Sequence, residues 1–107
     1  MEGSVFVKDA EIFVIDENEP YRKITLLVRL VNKDISERAV IVTVEIVDMQ
    51  QRLVTACCKK AFLEGMERVE AELAVFLARP ESQVYHARIT IQEYERELDC
   101  YEQKFRI

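Results

Sequence analysis

The chain has 107 residues and a formal charge of −5; half the residues are hydrophobic, a third are charged, and glycine and proline number two each. Such a chain reads as one soluble globular domain over residues 1–107, large enough to bury roughly two thirds of about 18,000 Å² without staples. The acidic balance excludes the Lys/Arg excess that neutralises phosphates, so neither nucleic acid nor an anionic membrane is an expected partner, and no apolar run approaches the roughly 20 residues of a span.

In chain order, "MEGSVFVKDAE" lacks the basic start and apolar stretch of a secretory leader. "SVFVKDAEIFVID" is a first strand, broken near Lys8-Asp9, and "DENEP" closes it with turn formers. "YRKITLLVRLVN" puts Ile24, Leu26, Val28 and Leu30 on one face, with Lys23, Thr25 and Arg29 on the other. After the turn-like "NKDIS", "ERAVIVTVEIVD" repeats the pattern with Val40, Val42, Val44 and Ile46; Ile41 and Val47 add apolar character to its nominally outer side. "DMQQR" is a hairpin turn into "LVTACCKKAFL", and Gly65 in "LEGME" marks the next reversal, where positive φ is the expected reason for glycine.

Two stretches read both ways. Over 67–78, Val69, Ala71, Leu73, Val75 and Leu77 alternate strictly, while Val69, Leu73, Phe76 and Leu77 also make a helical stripe. Strand is adopted, because the neighbours are strands and Pro80 ends the run. Over 94–105, Tyr94, Leu98, Tyr101 and Phe105 have helical spacing; the other reading is a hairpin, with "VYHARITIQEY" outward, "ERE" turning and "LDCYEQKFRI" returning. With strands throughout, the chain is all-β: an immunoglobulin-like or fibronectin-like antiparallel β-sandwich of about seven strands. Tyr85 opens the sixth strand, where immunoglobulin-like folds often carry a tyrosine two residues before a buried cysteine. Ala87 stands in the cysteine's place, so no inter-sheet disulfide is expected; an ordinary half-buried tyrosine fits the same pattern.

Chemistry is sparse. The odd cysteine count (Cys57, Cys58 and Cys100) suits a reducing compartment, and the expected location is cytoplasmic. Adjacent strand residues point to opposite faces, so Cys57 and Cys58 do not ligate one metal, and His86 is the sole histidine. Glu70 and Glu72 fall on one strand face about 7 Å apart, a spacing glycosidases use, but they read as a solvated face. Glu93, Glu95 and Glu97 read as charges around a turn. Gly3 and Gly65 make no phosphate loop, and Ser4, Ser36 and Ser82 sit in no nucleophile elbow. Tyr94, Tyr101 and Phe105 could form a sugar platform, though core or edge packing is the commoner use. No catalytic, cofactor-binding or metal-ligating residue is assigned, and no cofactor is expected.

Three stretches together resemble the immunoglobulin-like sandwich domain of glycoside hydrolase family 2. "VKDAEIFVID" is similar to its opening, in which a hydrophobic-x-Asp-x-hydrophobic pattern starts the first strand. "ITLLVRLVNKDISERAVIVTVEIVDMQQRLV" looks like its core pair, and "VYHARITIQEYERELDCYEQKF" like its last two strands. The tryptophan that usually follows the proline before the Tyr strand is missing, as is the glycine before the family's closing hydrophobic-Arg. The resemblance implies a module cut from a longer β-galactosidase, β-glucuronidase or β-mannosidase, which accounts for an ending on a strand residue. The family's two glutamates lie in a separate (β/α)₈ barrel, so the implied role is a non-catalytic spacer or packing domain, its partners neighbouring domains of the same polypeptide. The alternative is a stand-alone adaptor that recruits a protein partner by strand addition.

Overall fold

The computed structural model describes residues 4–18, 21–78, 80–81 and 83–107. They form seven antiparallel strands: β1 Val5–Asn18, β2 Tyr21–Asn32, β3 Arg38–Val47, β4 Leu53–Leu63, β5 Arg68–Ala78, β6 Val84–Glu93 and β7 Arg96–Arg106. Both ambiguous stretches are strands. In β5 Ala71, Leu73, Val75 and Leu77 are buried while Glu70, Glu72 and Phe76 face out, a period-two pattern that a helix could not satisfy. Glu19, Pro20 and Ser82 lie outside the described residues, and with them part of the first predicted turn.

Two sheets result, ordered β1-β2-β5 and β4-β3-β6-β7. In the constant-type immunoglobulin arrangement the fourth strand extends the first sheet; here it lies beside β3, so the sandwich is a three-plus-four variant. Each sheet turns one face inward. Ile24, Leu26, Val28 and Leu30 of β2 meet Val40, Val42, Val44 and Ile46 of β3, with Ile89 and Ile91 of β6 completing the centre. The body is elongated, 45 × 25 × 19 Å.

The edges β1 and β7 are each interrupted. The predicted break near Lys8-Asp9 is a bulge between Val7 and Asp9, and Leu98 is the extra residue of β7. Across these bulges the Val7 amide donates to Asp99 Oδ2 at 2.8 Å, stitching one side of the sandwich.

At one end of the body the crossovers β2–β3 and β4–β5 pass over each other, held by Asn32, which is fully buried. Its Nδ2 donates to Ser36 O and Glu64 O, both at 3.0 Å, and its Oδ1 accepts from the Asp34 amide at 3.0 Å. The expectation for Gly65 needs correction: positive φ falls on Met66 (62°), not on the glycine. Gly65 is required for space instead, since a Cβ there would stand 2.0 Å from Ile35 O. Gln51 and Tyr94 also have positive φ in the β3–β4 and β6–β7 turns.

At the opposite end, Tyr85 is buried and its Oη donates to Glu81 O at 3.1 Å, four residues upstream, while its ring stacks on Phe105 at 5.9 Å. This is the tyrosine-corner hydrogen bond of immunoglobulin-like folds, and Ala87 two residues on is fully buried where their cysteine sits. At that same end Asp48 closes the β3–β4 turn. Its Oδ1 accepts from the Gln50 and Arg52 amides at 2.9 Å each, and its Oδ2 from Arg52 Nε at 2.9 Å.

Three predictions come from these turns. Gly65→Ala lowers stability by about 1–3 kcal/mol, because the obstacle is backbone rather than a movable side chain; an unchanged urea midpoint would show the contact is not tight. Tyr85→Phe, which removes the corner hydrogen bond and the one the hydroxyl accepts from Gln83 Nε2, costs about 1 kcal/mol, whereas Tyr85→Ala costs about 3 kcal/mol or more. Stability also depends on acid. Arg38 holds Asp34 down to about 2. The Arg52 amide foremost, then the Arg52 side chain and Gln50 amide, lower Asp48. Folded values lie below the unfolded value of about 3.9, so the unfolded chain binds more protons and stability is lost as pH falls from about 4 through about 2. The urea midpoint therefore drops over that window and the drop shrinks in Asp34→Asn; a profile flat to pH 2 would contradict the assignment.

Candidate functional site

Glu70 and Glu72 do share the outward face of β5, in successive cross-strand rows. Glu70 lies opposite Arg29, whose Nε is 3.4 Å from Glu70 Oε2; the same guanidinium takes Asp9 at 2.7 Å and also Glu11. The hydrogen bonds it donates to Glu11 and then Asp9 hold Arg29 well above its ordinary pKa. The cation is thus fixed among three acids on the sheet face, beside an open hollow of about 220 Å³ that Lys8, Arg68 and Glu70 also line. This network was hidden in the sequence because its acids come from two other strands and only register brings them together.

The three turn glutamates separate in role. Glu95 and Glu97 are exposed, but Glu93 accepts from Arg38 Nη1 at 3.0 and 3.2 Å, and Arg38 also holds Asp34. Glu93 is therefore part of the clasp around the β2–β3 loop rather than a solvated charge. Beside it lies an open depression of about 510 Å³, lined by Arg38, Ile41, Lys60, Gln92, Glu93 and Tyr94. Its Arg38–Glu93 ion pair is already satisfied within the fold, and Glu37 also lines it.

The sulfur groups do not converge. Cys57 faces the space between the sheets, and burial pushes its thiol pKa up, with Cys58 adding to the effect. Cys58 and Cys100 are exposed on one cross-strand row, Cys58–Thr43–Thr90–Cys100, at opposite edges of the four-stranded sheet. His86 is in another row, between Val47 and Lys104. Among the described residues no group of three or more His, Cys, Asp and Glu could hold a metal ion, and no helix is long and apolar enough to cross a membrane.

The aromatic candidates are dispersed as well. Tyr94 is 95% exposed at the β6–β7 turn, Phe105 is stacked on Tyr85, and Tyr101 donates its hydroxyl to Gln103 Oε1 at 3.1 Å. They make no platform. Of the two apolar residues assigned to the outer side of β3, Ile41 is 37% exposed, but Val47 is only 2% exposed, at the point where β4 carries an extra residue, Val54. What remains at the surface is a set of apolar patches. Phe13, Ile15 and Phe76 are exposed on the three-stranded sheet, and Val54 and Phe62 along β4.

No family model matches the chain, and no curated protein matches it in sequence. Its shape, in contrast, is shared with known enzymes. It is similar to part of a β-glucuronidase from glycoside hydrolase family 2, with a TM-score of 0.91 at 13% identity, covering 97% of this chain and 13% of that one. It is similar to a putative β-galactosidase of Bacteroides fragilis (TM-score 0.90, 15% identity, 99% of this chain and 18% of that one). A family 2 member from Bacteroides cellulosilyticus gives 0.90 at 14% identity, with coverage of 97% and 15%. The chain thus spans 13–18% of the length of these proteins. Over nearly its whole length it has the fold of the sandwich segment of family 2 glycoside hydrolases, the segment its own strands resemble.

Proposed function

We propose that this chain is a non-catalytic β-sandwich module of a multidomain glycoside hydrolase, a spacer and packing domain beside a catalytic barrel. The observation that carries the reading is the match of 97–99% of this chain to 13–18% of each enzyme. The shape supports it. β1 enters at the end of the body that holds the Asn32 clasp, and β7 leaves at the Tyr85 end, where the Ile107 amide donates to Gln83 O. Flanking domains would be held apart along the 45 Å axis. Of the two acids with glycosidase-like spacing, Glu70 is engaged by Arg29, and Glu72 stands on the exposed outer face of β5. Exposed Phe13, Ile15 and Phe76 suit contact with a neighbouring domain of the same polypeptide. Three unpaired thiols support a reducing, cytoplasmic setting.

The test of the non-catalytic role is hydrolysis of aryl β-galactosides, β-glucuronides and β-mannosides by the 107-residue chain. The expected result is no turnover above buffer. Turnover that follows the protein through purification and disappears in Glu70→Gln or Glu72→Gln would overturn the reading.

A further inference from the structure

Tyr94 breaks a local rule without serving the fold. It is the first residue of the two-residue β6–β7 turn, which the Glu93–Arg96 pair closes, and its φ is 56°. Glycine, asparagine or aspartate ordinarily fills such a position, because a bulky side chain there is strained. At 95% exposure, the Tyr94 ring offsets that strain with no packing of its own. A ring held where the fold gains nothing points to a contact outside the fold.

The surface beside the ring has the matching chemistry. The depression of about 510 Å³ extends from Tyr94 over the outer side of β3. Ile41, 37% exposed, is its apolar floor, and the cross-strand neighbours of Ile41 are Lys60 of β4 and Gln92 of β6, each about 5 Å away. Glu37 of the β2–β3 loop adds a carboxylate. Arg38 and Glu93 are committed to each other. Among the described residues, by contrast, no hydrogen bond or ion pair takes up the side chains of Glu37, Lys60 or Gln92. An aromatic face and an apolar floor are thus bordered by a free carboxylate, a free ammonium and a free amide.

That combination selects among ligands. Arg38 and Lys60 balance Glu37 and Glu93, so a phosphate or other anion finds no cationic cluster. β3 and β6 are interior strands, paired on both sides, so an extended peptide cannot add to them. A wholly apolar ligand would leave three polar side chains facing it without partners. A pyranose ring fits all of these conditions. Its C–H face lies against an aromatic ring, and its hydroxyls, each both donor and acceptor, meet carboxylate, ammonium and amide alike. We propose that this depression is a binding site for a neutral sugar, which stacks on Tyr94 and hydrogen-bonds to Glu37, Lys60 and Gln92. The site belongs to this chain alone and does not depend on its place in a larger enzyme.

The experiment is titration of the 107-residue chain with lactose, cellobiose, mannobiose and chitobiose, followed by amide NMR shifts and thermal unfolding. The expected result is saturable shifts around Ile41, Lys60, Gln92 and Tyr94 with at least one sugar, at a Kd of about 1–10 mM. Tyr94→Gly weakens binding at least about tenfold, while its Tm stays level or rises, because glycine suits the positive φ. Lys60→Ala and Gln92→Ala each weaken binding about threefold or more. Tyr21→Ala, at an exposed tyrosine on the other sheet, leaves the affinity unchanged. No saturable shift with any of the four sugars up to about 50 mM would overturn the proposal. So would shifts centred elsewhere, an affinity that survives in Tyr94→Gly, or a Tm that falls in that variant, which would show the ring serving the fold.

Discussion

The constraint on which the sandwich depends is the burial of Asn32 where two crossovers meet. A sandwich of this topology must carry its chain from one sheet to the other, and each passage leaves backbone groups away from any ladder. Asn32 answers part of that need with one side chain. Its amide donates to Ser36 O in one crossover and Glu64 O in the other, while its oxygen takes the Asp34 amide. Its own backbone amide donates to Glu67 O, and Met66 N donates to Asp34 O across the same junction. Gly65 lets the two backbones come this close. Arg38 then locks the outside of the junction by holding Asp34 and Glu93 together.

Alternation made most of the fold legible. The inward residues of β2 and β3 are those that period two selects, and the bulge near Lys8 was visible as a break in it. Tyr85 and Ala87 could be placed because a tyrosine corner has a local spacing. What stayed hidden depends on register between distant strands. Arg29 could not be matched with Asp9, Glu11 and Glu70 without knowing that β2 lies between β1 and β5. Glu93 looked like one of three turn charges until β3 brought Arg38 to it. Gly65 was noticed for the wrong reason, since its neighbour Met66 takes the left-handed conformation and the glycine yields room. Val47 is an outer-face residue under strict alternation, yet it is buried where β4 bulges at Val54.

The same facts explain why this scaffold reads as architecture rather than as a reaction centre. Catalysis needs groups converging on an excluded volume, and here Arg29 is paired across an open sheet face while Arg38 and Arg52 are committed to turns. The core is filled by aliphatic side chains from both sheets. What the surface offers is apolar area, a feature used to join one folded body to another.

The claim that the chain is one module of a larger glycosidase is tested most directly by reading the coding sequence on both sides of Met1–Ile107. The account predicts an open frame continuing downstream into a barrel-sized segment of alternating strands and helices, with glutamates at strand ends. A stop codon immediately after Ile107 would contradict it.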